Sequence, residues 1–300
     1  MKVVVVGSIN VDMTFYAQRF PVDGETVFGV KQKIGTGGKG LNQATAASRA
    51  GADVTFIGRV GDDFLSSVPL ALMESEKMEI SAVTKTENTA TGCADIQVNT
   101  ESGENRITVI RGANEALTAK DVYAAEKAFI ECSCVLSQLE IPDEAILAAK
   151  ELAKKYNKPF ILNPAPMRDL PEGLFNEVDV LTPNETEAAY FSGLSVDEYE
   201  KSAEKLLAAG AKTVIITLGK KGSYLKNADI SLTIPAIPQK AVDTTGAGDA
   251  YNGGLCAAIA EGKTLEDAVK FATATSSLSV TKAGAAESMP KREEIEKLLK

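Results

Sequence analysis

Short runs of β-branched and other apolar residues recur along the chain, most of them followed by a longer stretch with helical spacing. Val3-Val4-Val5-Val6 is the first, and Val54-Thr55-Phe56-Ile57, Cys134-Val135-Leu136, Phe160-Ile161-Leu162, Val178 to Leu181 and Val214-Ile215-Ile216 repeat it. A strand without polar alternation is apolar on both faces, as a parallel sheet covered by helices on each side requires. Leu41 to Ala50, Asp121 to Ile130, Asp143 to Tyr156 and Ser202 to Ala209 read as intervening helices. Strand and helix in alternation predict an α/β fold, a doubly wound and mostly parallel sheet flanked by helices.

Two segments, about 13–34 and 92–110, break this rhythm. In the second, Ala94, Ile96 and Val98 alternate with Asp95, Gln97 and Asn99, the period of a strand with one polar face. Thr100-Glu101-Ser102-Gly103-Glu104 supplies a hairpin turn before Ile107 and Val109 resume the alternation. Together they predict a small separate sheet, a lid inserted in a single domain over 1–300, with no repeat or linker dividing the chain. An apolar face on such strands needs a cover, so the lid is expected to join two copies in a homodimer about a two-fold axis.

Composition then narrows the chemistry. No apolar run approaches the roughly 20 residues that span a bilayer, and the opening run is too short for a signal peptide, so no membrane partner and a cytoplasmic location are expected. A net charge of −9 disfavours a nucleic-acid partner, which would need a basic face. The four cysteines form no CxxC pair and are expected as reduced, buried thiols. The chain contains no His, which excludes His-based hydrolase triads and leaves a carboxylate, Lys, Tyr or Cys as general base.

Gly35-Thr36-Gly37-Gly38-Lys39-Gly40 matches G-x-G-x-x-G, yet it comes about 25 residues after the first strand instead of directly behind it. Gly40 after Lys39 also rules out a Walker A loop. What remains is a glycine-rich turn entering a helix, where backbone can approach a ligand, with Lys39 and Asn42 on one face. Asn10 and Asp12 point the same way in an extended chain, as a grip for hydroxyls or as turn formers at a strand end. Asn184 and Glu187, after Thr182-Pro183, form either a capping box or a polar pair at the carboxyl end of a strand, where α/β folds bind ligands.

Asp243-Thr244-Thr245-Gly246-Ala247-Gly248-Asp249 opens a helix running through Ala258. Small residues at a helix start leave backbone N–H groups free, an anion cradle. Asp249 within it either caps the helix or takes a proton from a hydroxyl attacking a cradled phosphate.

Gly37 to Ala44 and Asp243 to Asp249 together resemble the two signatures of the ribokinase-like carbohydrate kinases, the PfkB family. Ser8-Ile9-Asn10-Val11-Asp12, Asn163-Pro164-Ala165-Pro166 and Thr182 to Glu187 resemble the ribokinase branch, in the family's order over nearly the whole chain. The resemblance implies ATP-dependent phosphorylation of D-ribose at O5 to ribose 5-phosphate, with Mg²⁺ required. It implies that Asn10, Asp12, Gly38, Lys39, Asn42 and Glu140 bind the sugar, that Asp249 is the base, and that Gly246, Ala247 and Gly248 form the anion hole. Asn184, Thr217, Gly219, Gly222, Gly248 and Thr273 would serve ATP, and Glu187 would be linked to Mg²⁺. A monovalent cation, K⁺, would sit near Asp243, Thr245, Ser279, Lys282, Gly284 and Ser288, mostly through carbonyls.

Leu41 and Tyr251 replace the family's usual Ala and Phe, and Thr273 stands where His or Asn is common beside adenine. Leu65 and Pro69 alter the helix after Gly61-Asp62-Asp63, where Pro is expected to introduce a kink. Kinases of this fold acting on 2-deoxyribose, a hexose or a nucleoside are the near alternatives. A silent sugar or nucleotide sensor is disfavoured by the intact Asp249 and anion hole, and a dinucleotide oxidoreductase by the misplaced glycines.

Overall fold

The computed structural model describes residues 1–300. Its strands are β1 (Lys2–Val6), β2 (Asn10–Ala17), β3 (Lys31–Gly37), β4 (Asp53–Gly61), β5 (Val83–Thr86), β6 (Gly92–Asn99), β7 (Asn105–Ile110), β8 (Cys134–Gln138), β9 (Phe160–Asn163), β10 (Val180–Leu181), β11 (Val214–Thr217), β12 (Ser223–Lys226) and β13 (Ser231–Ile234). The α-helices are α1 (Lys39–Arg49), α2 (Ser67–Ser75), α3 (Ala119–Ala124), α4 (Glu126–Glu131), α5 (Asp143–Lys155), α6 (Glu185–Ser192), α7 (Tyr199–Ala208), α8 (Ala247–Ala260), α9 (Leu265–Ser279) and α10 (Arg292–Leu298).

Nine strands form one sheet in the order β13-β12-β11-β10-β9-β8-β1-β4-β5, parallel except for the β11–β12 and β12–β13 pairs. The valine run of β1 explains the layering. Val3 and Val5 belong to a core shared with Leu41 and Ala44 of α1 and Leu255 of α8, while Val4 and Val6 belong to a second core with Ile146 and Leu152 of α5 and Leu206 of α7. The chain moves outward from β1 to β4 and β5, then returns to β8 and continues the other way. The β1/β8 boundary is therefore the topological switch point, where the carboxyl ends of strands leave a crevice.

The second sheet has the order β3-β2-β6-β7. Its strands occupy 10–17, 31–37, 92–99 and 105–110, so the expected two-faced segments hold pairs of strands, and residues 18–30 between the first pair form none. The predicted hairpin turn is present, closed by Asn99 N–H donating to the Glu104 carbonyl at 2.9 Å.

Three local expectations change. The helix predicted over Asp121 to Ile130 is two short helices, because Ala125, at φ −94° and ψ 17°, leaves the helical path between α3 and α4. Of Val178 to Leu181 only the last two residues form β10, since the Val178 N–H closes a turn onto the Phe175 carbonyl. Pro69 is the third residue of α2, which starts at Ser67 directly after a 3-10 turn over Phe64–Ser66, so the proline stands near the change from 3-10 to α-helix and not in a helix interior. The edge strands β5 and β13, and β12 beside β13, four residues each, carry no pattern that distinguishes them from loop.

Candidate active site

The site forms where α1 and α8 begin, beside the carboxyl ends of β1, β8, β9, β10 and β11. The start of α1 is pressed onto the end of β1. Gly40 N–H donates to Ser8 Oγ at 3.1 Å and Leu41 N–H to the Ser8 carbonyl at 2.9 Å, and a Cβ on Gly40 would lie 2.4 Å from Ser8 N. Only glycine permits this approach. It sets Lys39, Asn42 and Gln43 over the crevice, opposite α8.

The N-cap of α8 is Gly246, with φ 74° and no capping side chain, and Asp249 is its third residue. Asp249 does not cap the helix. Its carboxylate reaches across to α1 and accepts from Asn42 Nδ2 through Oδ2 and from Gln43 Nε2 through Oδ1, both at 2.9 Å. The residue is 6% exposed. Burial pushes its pKa up, against the opposing pull of Lys39, Gln43 and Asn42, so the carboxylate is more basic than usual. Burial likewise disfavours the Lys39 ammonium, but the Asp249, Glu140 and Glu187 carboxylates outweigh it and raise the Lys39 pKa.

On the far side of Lys39 stand the residues expected to grip a sugar. Glu140 Oε2 accepts from Ser8 Oγ at 2.6 Å and from Lys39 N–H at 2.9 Å, which ties β8 to the start of α1. Asn10 Oδ1 accepts from Asn114 Nδ2 at 2.8 Å, so the Asn10 amide nitrogen is left as a donor. Gly38 packs on the Asn10 backbone, and the Asp12 carboxylate lies over Gly37. Burial, then the Glu287 and Glu140 charges, raises the Asp12 pKa to about 6. Asn42 Oδ1 is a buried acceptor with no partner in the protein.

Two adjoining cavities lead away from Asp249. The first, about 180 Å³, is lined by Lys39, Glu187, Gly246, Ala247, Gly248 and Asp249 among others. It shares Asn184, Thr217, Ala247 and Gly248 with a second cavity of about 410 Å³, which also contains Gly219, Gly222, Tyr251 and Thr273. All six residues expected to serve the nucleotide therefore line one space. The Asn184 to Glu187 segment is both things at once: a capping box with both reciprocal bonds formed, and a pair at the cavity junction. Burial raises the Glu187 pKa, against the Asn184 N–H bond and Lys39. A larger cavity, about 610 Å³, lies beside Lys2, Asp53 and Glu131 at the opposite ends of the strands and contains none of these residues.

A model of the pfkB family carbohydrate kinases matches residues 1–292. The chain belongs to this family. It is 41% identical to a ribokinase of Staphylococcus aureus over 299 residues, 98% of each chain. It is 40% identical to a bifunctional ribokinase/ribose-5-phosphate isomerase A of Fructilactobacillus sanfranciscensis, covering 98% of this chain and 55% of that longer protein. A deoxyribokinase of Salmonella typhimurium is 35% identical over 303 residues, 100% of this chain and 99% of the relative. Among solved structures, an Arabidopsis thaliana ribokinase complexed with ribose and ATP superposes with a TM-score of 0.93 at 32% identity, covering 99% of this chain and 98% of that one.

Beyond these residues, the loops expected to hold a monovalent cation in this kinase do meet. Asp243 Oδ1 accepts from Thr245 N–H and Oδ2 from Gly284 N–H, both at 2.9 Å. Ser279 and Ser288 hydroxyls donate to the Ser276 and Ala285 carbonyls, and the Lys282 ammonium turns away to Glu294. Gln43, Asn163 and Asn252 join the site without having been given a role from sequence. For Gln43 the signal was available, since it stands four residues after Lys39 and faces the same way on α1.

Proposed function

We propose that the chain is a ribokinase, transferring the γ-phosphoryl group of ATP to O5 of D-ribose with Asp249 as general base. The observation that carries this is a buried carboxylate at the junction of a helix-start anion cradle and a cluster of hydroxyl-binding groups. Asn10 offers a donor, Asp12 an acceptor and Asn42 Oδ1 an unmet acceptor, a set suited to a polyhydroxylated ligand. The relatives named ribokinase, and the ribose and ATP in the Arabidopsis thaliana structure, support the same substrates.

The sugar O5–H bond breaks as its proton passes to Asp249. O5 bonds to the γ-phosphorus while the bond to the β-phosphate oxygen breaks, and ADP leaves. Backbone N–H groups at Gly246 and Gly248, with Lys39, meet the charge on the transferring group, and the Ala247 N–H, which donates to the Thr244 carbonyl at 3.2 Å, joins them by exchanging that bond for the phosphate. A Mg²⁺ would be carried by the nucleotide phosphates, with Glu187, which lines the cavity beside Asp249, as the residue linked to it. When bound, Mg²⁺ neutralises phosphate charge. Asp243 clamps the 243–245 and 284 backbones together, which suits a K⁺ held by the carbonyls there and ordering the cradle.

The small sheet is the lid of a single catalytic domain and the contact between two copies. By register, Ala94, Ile96, Ile107 and Val109 share the face that carries Asn10 and Asp12. Ile107 and Val109 are 55% and 54% exposed, an apolar continuation of the sugar site that a second lid would cover. No helix is long and apolar enough to cross a membrane.

The full-length relative named deoxyribokinase keeps 2-deoxyribose as a second reading. Phosphorus NMR of the product formed from ATP and D-ribose tests the first. A ribose 5-phosphate resonance that grows faster in K⁺ than in tetramethylammonium is expected. Phosphate on another oxygen, or none on the sugar, overturns the assignment, and equal rates in the two salts overturn the cation site.

A further inference from the structure

Behind Asp249 lies a run of amides and hydroxyls closed off from solvent. Gln43 and Gln138 are 0% exposed, Thr182 1% and Asn252 2%. Gln138 Nε2 donates to Gln43 Oε1 at 2.8 Å. Gln43 Nε2 donates to Asp249 Oδ1 at 2.9 Å and to Asn163 Oδ1 at 3.1 Å. Asn163 Nδ2 then donates to the Thr182 carbonyl at 2.9 Å, Thr182 Oγ1 to Asn252 Oδ1, and Asn252 Nδ2 to the Gly248 carbonyl at 2.8 Å. The bonds run from β8 through α1 to the base on α8, and return by way of β9 to the first turn of the same helix.

The direction of these bonds has chemical content. An amide has an oxygen end and a nitrogen end, and an oxygen end against a carboxylate would repel it. Gln138 donates to the oxygen of Gln43 while Asp249 and Asn163 accept from its nitrogen, so together they set the N–H₂ end toward Asp249; Gln138 Oε1 itself has no partner. Both oxygens of the base are thereby held by neutral donors, one from Asn42 and one from Gln43.

We infer that Gln43, oriented by Gln138, is a positioning residue for phosphoryl transfer: it aims the Asp249 carboxylate and keeps it ionised. The inference rests on Asp249 being the base. The charged groups facing Asp249 are Lys39 of α1, which favours the anion, and Glu140 after β8, Glu187 of α6 and Asp12 of β2, which oppose it. Lys39 is the largest influence favouring the anion, and with carboxylates outnumbering this single ammonium the neutral donors in fixed orientation add to its hold on the charge.

The test compares Gln43→Met and Gln138→Met with the parent enzyme, measuring kcat and ribose KM across pH, and Asp249 ionisation by carbon-13 NMR. Its resonance is assigned from its absence in Asp249→Asn. Gln43→Met should lower kcat by about 10-fold or more with KM changed less than about 3-fold, and should move the acid limb of kcat up by about one pH unit. The Asp249 midpoint should rise with it. Gln138→Met keeps the contact but frees the amide, and should shift both readouts the same way by a smaller amount. A folded Gln43→Met with an unchanged pH profile overturns the inference. So does a melting temperature that falls while kcat and the Asp249 midpoint stay put. If Gln43→Met does not fold, an unshifted Gln138→Met overturns it equally. The carboxyl titration needs no substrate, so it decides the matter even if the sugar reading fails.

Discussion

Asp249 and Asp12 are both buried carboxylates, and their surroundings assign them different tasks. Asp249 faces two amide donors and Lys39 in the first turn of α8, whereas Asp12 lies over Gly37 with Glu287 and Glu140 as neighbours. Asp249→Asn keeps the shape and removes the proton acceptor. Since the carboxylate makes no helix cap, stability should change little, while kcat should fall at least about 100-fold with ribose affinity kept within a few-fold. Steady-state kinetics, ribose calorimetry and a melting curve on that variant check all three; near-normal turnover would remove Asp249 from the chemistry. Burial, then the Glu287 and Glu140 charges, push the Asp12 pKa up to about 6, and its ionised form is the one that accepts hydrogen bonds from sugar hydroxyls through both oxygens. Ribose KM should therefore climb as pH falls through 6, and the climb should vanish in Asp12→Asn. At this scale the sequence motifs held nearly every polar group of the site. What they could not reveal was the bonding between them, because Gln43, Asn163 and Asn252 meet only when α1, β9 and α8 are packed together.

Elements bring these groups to hydrogen-bonding distance through close packing of α1 on α8. A Cβ on Gly253 of α8 would lie 2.4 Å from the Gln43 carbonyl and 2.5 Å from Ala46 Cβ. Gly253→Ala should push the two helices apart, costing about 1 to 3 kcal/mol by overpacking. Because Asn42 and Gln43 ride on one helix and Asp249 on the other, kcat should fall together with the melting temperature. A variant that loses stability at full kcat would show that the helix spacing does not set the base. The buried strands β1, β8, β9 and β11 were readable from their apolar runs, and the helices α1 and α5 from their spacing. The break at Ala125 was not, since nothing in its side chain interrupts a helix, and the position of Pro69 near a helix start depended on where α2 begins.

For the molecule as a whole, the open question is how the small sheet is covered. The alternation that identified its strands leaves Ile107, Val109 and Ile110 more than half exposed in one copy. Val109→Lys, on the face shared with Asp12, should convert a dimer to a monomer in sedimentation velocity and raise ribose KM, whereas a parent protein already monomeric at micromolar concentration would contradict the pairing. The α/β alternation was legible because each element's pattern is local in sequence; that a second copy covers the small sheet stays a proposal, because an uncovered apolar face states a need and leaves the cover unspecified. Substrate choice is decided by the entire crevice, and it is tested most directly by kcat/KM for ADP release with ATP, Mg²⁺ and K⁺ over D-ribose, 2-deoxyribose, hexoses and nucleosides. D-ribose should give the highest value, at least about 10-fold above 2-deoxyribose, the scale expected from losing one hydroxyl contact. A higher value for any other acceptor, or ADP release that no sugar stimulates, would contradict the assignment.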